Sequence, residues 1–80
     1  MMGVEQAVKN VIVDTLGIQP EKVTPEARLV DDLDADDLDL IELTMALEEK
    51  FNIEVPDEDA KKFLTVDQVV KYIQEKTGLK

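Results

Sequence analysis

The chain has no cysteine, no histidine, no tryptophan and no serine, and its eighty residues include only three glycines, three prolines and three aromatic side chains. Without cysteine there is no disulfide framework, no thiolate metal site and no thiol nucleophile, and without histidine the commonest general base and metal ligand is missing. Catalysis by this chain alone is therefore not expected. No window approaches the roughly eighteen to twenty apolar residues that a bilayer span requires. The opening stretch, Met1 to Ala7, lacks the basic segment and apolar run of a secretory leader. These absences predict a soluble, cytoplasmic protein without membrane insertion. Bases are also scarce where acids are dense. Residues 31–59 hold thirteen of the nineteen acids but one base, Lys50, within a net charge of −10. Such a surface repels nucleic acid and anionic lipid and attracts Lys/Arg patches on other proteins, over a screened range of about 8–10 Å. Solubility alone is the competing explanation of the acids. Eighty residues make one domain, 1–80, near the lower limit for a core unsupported by disulfides or metal, and a monomer is expected.

What is present has a helical period. Val4, Ala7, Val8, Val11, Ile12 and Leu16 recur at three- and four-residue steps and predict a first helix, stopped near Leu16 by Gly17, Ile18 and Pro20. From Ile18 to Ala35 no helical period persists, although Thr24-Pro25-Glu26 suits a short turn, so a long, partly ordered loop is expected. Asp36 offers an N-cap oxygen, and Asp37 and Asp39 place negative charge in a first turn that favours it. The second helix carries Leu40, Leu43, Leu47 and Phe51, with Ile41, Thr44 and Met45 beside them. That apolar set is wider than a small core needs, so part of it is available to partners. Pro56-Asp57 predicts a short third helix containing Ala60 and Phe63. Thr65-Val66-Asp67-Gln68 fits a capping box that opens a last helix with Val66, Val69, Val70 and Ile73 on its buried face, and Gly78 just past its end. The predicted fold is all-α: a small antiparallel bundle of three main helices plus one short helix. The expected core is Val8, Val11, Ile12, Leu43, Leu47, Phe51, Val69, Val70 and Ile73, with apolar residues of the loop and short helix.

Two chemistries suggested by the carboxylates fail on spacing. Asp32, Asp34 and Asp36 alternate like the first ligands of a calcium loop, but the sixth and twelfth positions are then Asp37 and Leu43, where such a loop requires glycine and a bidentate glutamate. No specific metal site is expected, only weak divalent binding by a dense acidic surface. Pairing Asp36 with Asp39, or Asp37 with Glu42, as acid and base would need a pocket that shifts their pKa values, and one helix face of an aromatic-poor domain offers little of one.

The longest signature runs through Leu29-Val30-Asp31-Asp32-Leu33-Asp34-Ala35-Asp36, then Asp37-Leu38-Asp39 and Glu42-Leu43. It continues through Met45-Ala46-Leu47-Glu48-Glu49-Lys50-Phe51 and Ile53-Glu54-Val55-Pro56-Asp57-Glu58-Asp59-Ala60. Over nearly the whole chain this resembles a bacterial acyl carrier protein of fatty acid biosynthesis. Two residues depart from the family pattern. Asp34 stands where the family usually has glycine, implying a tight or left-handed backbone that aspartate can tolerate. Asp37 stands where the family has the serine that receives 4′-phosphopantetheine. A carboxylate cannot form the stable phosphodiester, and none of the five threonines lies at the matching position. The resemblance thus implies a carrier scaffold for lipid metabolism that bears no cofactor in this form, with Asp37 at the cofactor position.

It further implies that Asp36, Asp39, Glu42, Glu48 and Glu49 meet basic patches on fatty acid synthesis enzymes and on phosphopantetheinyl transferase, while Ile41 and Met45 supply apolar contact. Spacing agrees, since Asp39, Glu42, Met45 and Glu49 follow one another at three- and four-residue steps along a single face. Met45 could equally fill the core, and the acids could simply be a solvated face. The alternative function is a non-carrier acidic interaction module or inhibitor that occupies the docking patches of carrier-dependent enzymes.

Overall fold

In a computed structural model describing residues 3–80, four α-helices follow one another: α1 (Val4–Leu16), α2 (Asp37–Phe51), α3 (Asp57–Ala60) and α4 (Val66–Thr77). The fold is the expected all-α arrangement of three principal helices and one short one. Met1 and Met2, the start of the stretch expected to lack a secretory leader, lie outside the described residues. The chain ends of the main helices form for local reasons. Gly17 (φ 64°) adopts the left-handed turn that closes α1, its N–H donating to the Val13 carbonyl at 2.9 Å. Gly78 closes α4 in the same way at φ 73°, its N–H reaching the Gln74 carbonyl at 2.8 Å. The Thr65–Gln68 capping box is present: the Gln68 N–H donates to Thr65 Oγ1 at 3.3 Å, and Gln68 Oε1 accepts from the Thr65 N–H at 3.0 Å. Gln68 Oε1 also accepts the Leu64 N–H at 3.0 Å, which ties the preceding turn to the helix start.

α1 packs on α2 and α4, and Val8 and Ile12 of α1, Leu43 and Leu47 of α2, and Val69 and Ile73 of α4 are fully enclosed at the centre. Two residues of the expected core, Val11 and Phe51, are only partly buried and rest on the cluster from outside. Their places are taken by loop residues: Val23, Ala27, Leu29, Leu33 and Ala35 are all buried. The loop is more ordered than its lack of helical period predicts. A 3-10 turn, Pro20–Lys22, opens it, and Arg28 and Thr65 form an isolated antiparallel bridge beyond. The Leu29 N–H donates to the Leu64 carbonyl at 3.0 Å and the Val66 N–H to the Ala27 carbonyl at 3.0 Å. Backbone pairing therefore replaces helical hydrogen bonds in holding this segment down.

The third helix is shorter than expected. It ends at Ala60, and Phe63 lies beyond it in the turn into α4, buried, with its N–H donating to the Ala60 carbonyl at 3.1 Å. Three acids in four residues limit what so short a helix can gain from its own hydrogen bonds, and tertiary contacts hold it instead. Tyr72 of α4 donates its hydroxyl to Asp59 Oδ2 at 2.8 Å and meets the Phe63 ring edge-on at 5.2 Å between centroids. Burial, with the Asp59 carboxylate adding to it, pushes the Tyr72 phenol up to about 12.

Candidate functional site

The start of α2 is built from a closed hydrogen-bond exchange between two acids. Asp36, in extended backbone, accepts the Asp39 N–H on Oδ1 at 2.8 Å, and Asp39 Oδ2 accepts the Asp36 N–H at 3.1 Å. A capping box is usually completed by glutamate or glutamine at the third helical position; here the shorter aspartate suffices. Just ahead of the cap, the Ala35 N–H donates to the Leu29 carbonyl at 2.9 Å, and Ala35 itself is buried. The helix start is thus fixed to the loop behind it, with its first turn directed outward. Asp37, the first helical residue, is exposed, and its side chain takes no hydrogen bond or ion pair among the described residues.

Along the outer face of α2, Leu38, Ile41 and Met45 are 62, 57 and 60% exposed. They recur at three- and four-residue steps, so one apolar stripe faces solvent. The exposure of Met45 removes the reading in which it fills the core. Glu42 and Glu49 are exposed beside this stripe, while Asp39 is half-buried by its role in the cap. Glu48 differs from the other acids: its Oε2 accepts the Val55 N–H at 2.8 Å and ties the end of α2 to the segment entering α3. Leu38, although inside the motif, was not singled out by its spacing, because Leu40 and Leu43 define the buried side and Leu38 falls off it. Val30 and Leu64 are also exposed apolar residues without a periodic signal. The Leu29–Leu64 and Ala35–Leu29 backbone bonds carry them to the same end of the molecule as the start of α2.

Charge around this end is only partly neutralised. Arg28 lies 3.3 Å from Asp31 and 3.5 Å from Asp32, both contacts exposed. The Arg28 backbone N–H donates to Asp32 Oδ2 at 2.8 Å and, with the Arg28 guanidinium, holds the Asp32 carboxyl below its usual value. Asp34 adopts φ 57°, the left-handed conformation that the expected departure from glycine implied. Among the described residues, no group of three or more acids, cysteines or histidines is placed to hold a metal ion. The threonine hydroxyls of Thr44 and Thr77 donate to the Leu40 and Ile73 carbonyls at 2.9 and 2.7 Å, and Thr65 caps α4. None of the five threonines lies in the first turn of α2.

The family described as "Phosphopantetheine attachment site" matches residues 6–73. The acyl carrier protein of Wolinella succinogenes is 53% identical over 73 residues, covering 91% of this chain and 96% of that protein. The acyl carrier protein of Bdellovibrio bacteriovorus is 51% identical over 75 residues, covering 94% of this chain and 96% of that protein. An all-α bundle with an outward, acid-capped second helix, matched along nearly its whole length at such identity, leaves one assignment: the chain belongs to the acyl carrier protein family.

Proposed function

We propose that this chain is a single-domain, monomeric acyl carrier scaffold of cytoplasmic fatty acid biosynthesis that docks to synthesis enzymes but is not loaded. As a member of a carrier family it is not an enzyme. The observation that carries the docking half is the surface of α2. An unpartnered acid, a solvent-facing stripe of Leu38, Ile41 and Met45, and the flanking acids Glu42 and Glu49 share one outward face. Apolar anchors ringed by charge suit a basic patch with an apolar centre, the charge steering encounter and the anchors supplying affinity. Asp36 and Asp39 contribute their field while their oxygens stay in the cap. Glu48 has the structural task of holding Val55 and adds only charge.

The unloaded half rests on residue 37. Attachment of 4′-phosphopantetheine as a phosphodiester needs a side-chain hydroxyl, and the group that the first turn of α2 presents is a carboxylate, so the residues present do not fit the cofactor. No step through the arm is available to this form. The same exposed carboxylate favours the second reading, an acidic module that occupies docking patches without delivering substrate. No helix among the described residues is long and apolar enough to cross a membrane. Binding separates docking from mere solubility. At low salt, Glu42→Lys and Glu49→Lys should each weaken affinity for a purified bacterial carrier-dependent acyl synthase by about tenfold. Unchanged affinity in both would remove the docking face.

A further inference from the structure

We propose that the turn between α3 and α4 is a second contact region of opposite charge, in which Lys61, Lys62 and the exposed Leu64 receive an acidic and apolar patch on the same enzyme whose basic patch meets α2. This rests on the docking reading above and extends it by assigning the chemistry of a second part of the partner's surface. The charge of the chain changes sign along its length: residues 31–59 hold thirteen acids and one base, whereas residues 61–80 hold five bases and two acids. Lys61 and Lys62 are exposed, and neither pairs with a carboxylate among the described residues. Acids do stand at the favourable spacing, Asp57 four residues before Lys61 and Glu58 four before Lys62. Inside α4 the same spacing brings Asp67 to 3.1 Å from Lys71. α3, however, ends at Ala60, so the helical register that would align the other two pairs is lost and both ammonium groups stay free.

The turn is held in place for contact. Buried Phe63 anchors it between the exposed Lys62 and Leu64. The Lys62 N–H donates to the Asp59 carbonyl at 3.0 Å and the Leu64 N–H to Gln68 Oε1 at 3.0 Å, so the backbone is fixed and only side chains lose freedom on binding. Leu29 joins the turn to α2. Its N–H donates to the Leu64 carbonyl at 3.0 Å, and its carbonyl accepts the Ala35 N–H at 2.9 Å, one residue before the Asp36 cap. Val30 and Leu38, both exposed, lie at the same end. Apolar surface therefore runs from α2 towards Leu64 while the charge beside it passes from acid to base. An acidic side chain next to an apolar one is the complement of two ammonium groups beside a leucine. Anionic lipid would meet the same ammonium groups but also the thirteen acids of residues 31–59, which repel it.

The test is affinity for a purified bacterial carrier-dependent acyl synthase at low salt, measured for the parent chain, Lys61→Gln, Lys62→Gln, Lys76→Gln and Glu42→Lys. Lys76 is exposed in the last turn of α4, so its substitution makes the chain more negative by the same one charge at the opposite end of that helix. Net charge alone predicts that all three lysine variants bind a basic patch as tightly as the parent or more tightly. A facing acid reverses the sign at two of them. Lys61→Gln and Lys62→Gln should each bind about two- to fivefold more weakly, the effect of one exposed ion pair, and the loss should disappear at high salt, while Lys76→Gln does not weaken. If Lys61→Gln and Lys62→Gln instead match Lys76→Gln while Glu42→Lys loses binding, the second contact is overturned and docking survives. If Glu42→Lys also binds like the parent, docking itself fails and the second contact with it. Vesicles of phosphatidylglycerol should not bind the parent chain; binding that Lys61→Gln or Lys62→Gln abolishes would assign the pair to a lipid surface and overturn the proposal.

Discussion

Residue 34 sits at φ 57° with a side chain, in backbone that only glycine enters without penalty. Asp34→Gly should therefore stabilise the chain by about 0.5–1 kcal/mol, the relief of left-handed strain less the extra freedom of glycine in the unfolded state. Chemical denaturation would register this as a higher midpoint at unchanged slope. Tyr72 offers a second measurement at this scale. Its phenol titrates near 12 in the folded chain against about 10 unfolded, so the neutral form is favoured by folding. The stabilisation is fully present below pH 10 and is lost as pH rises from 10 through 12. Tyr72→Phe should remove the extra loss of stability over that window and, by deleting the bond to Asp59, lower stability near neutrality by about 1 kcal/mol. Melting curves at pH 8 and pH 11 would reveal both effects. The left-handed residue could be anticipated from one letter, because aspartate at a glycine position has few other meanings. The Tyr72–Asp59 bond could not, since thirteen residues of chain separate its ends and no local period connects them.

Among elements, α2 and α4 use the same device with different chemistry. In α4 the box is neutral, and Thr65→Ala should cost about 1 kcal/mol. In α2 it is anionic, which separates hydrogen bonding from charge. Asp36→Asn keeps a good capping side chain and should cost at most a few tenths of a kcal/mol, whereas Asp36→Ala should cost about 1 kcal/mol. Equal losses in the two variants would mean that the helix start is held by its charge rather than by the bond to the Asp39 amide. All four helices were legible from period and punctuation, because Gly17, Pro20, Asp36, Pro56, Thr65 and Gly78 each act within one turn. The loop was not, for a physical reason visible in retrospect. Ala27, Leu29, Leu33 and Ala35 are buried, but the chain between Leu29 and Leu33 turns, the Asp32 and Leu33 N–H groups both donating to the Arg28 carbonyl, so neither a helical nor a strand period marks it. Its partner, around Leu64 and Thr65, is thirty-five residues away. The overlong third helix has a related origin, since Phe63 continues the apolar spacing of Ala60 while it is buried in the core beyond that helix, with Tyr72 edge-on against it.

For the whole molecule, a charge of −10 concentrated between residues 31 and 59 opposes folding over distances that salt can screen. Raising ionic strength from low to physiological values should raise the melting temperature by about 4–8 °C, corresponding to about 1 kcal/mol in a domain of this size. Magnesium should exceed sodium at equal ionic strength, because carboxylate oxygens suit a hard divalent ion. The face of α2 was readable from sequence as acids and apolar residues on one helix, yet its membership was not. Burial was needed to place Met45 outside the core, to add Leu38, and to show that the Glu48 carboxylate is engaged by Val55. The central claim is that residue 37 occupies the outward tether position of a carrier. Its most direct test is mass spectrometry after incubation with coenzyme A and a phosphopantetheinyl transferase. This chain should gain nothing and Asp37→Ser should gain one phosphopantetheine arm; an Asp37→Ser chain that stays unmodified, or a parent chain that acquires the arm, would contradict the account.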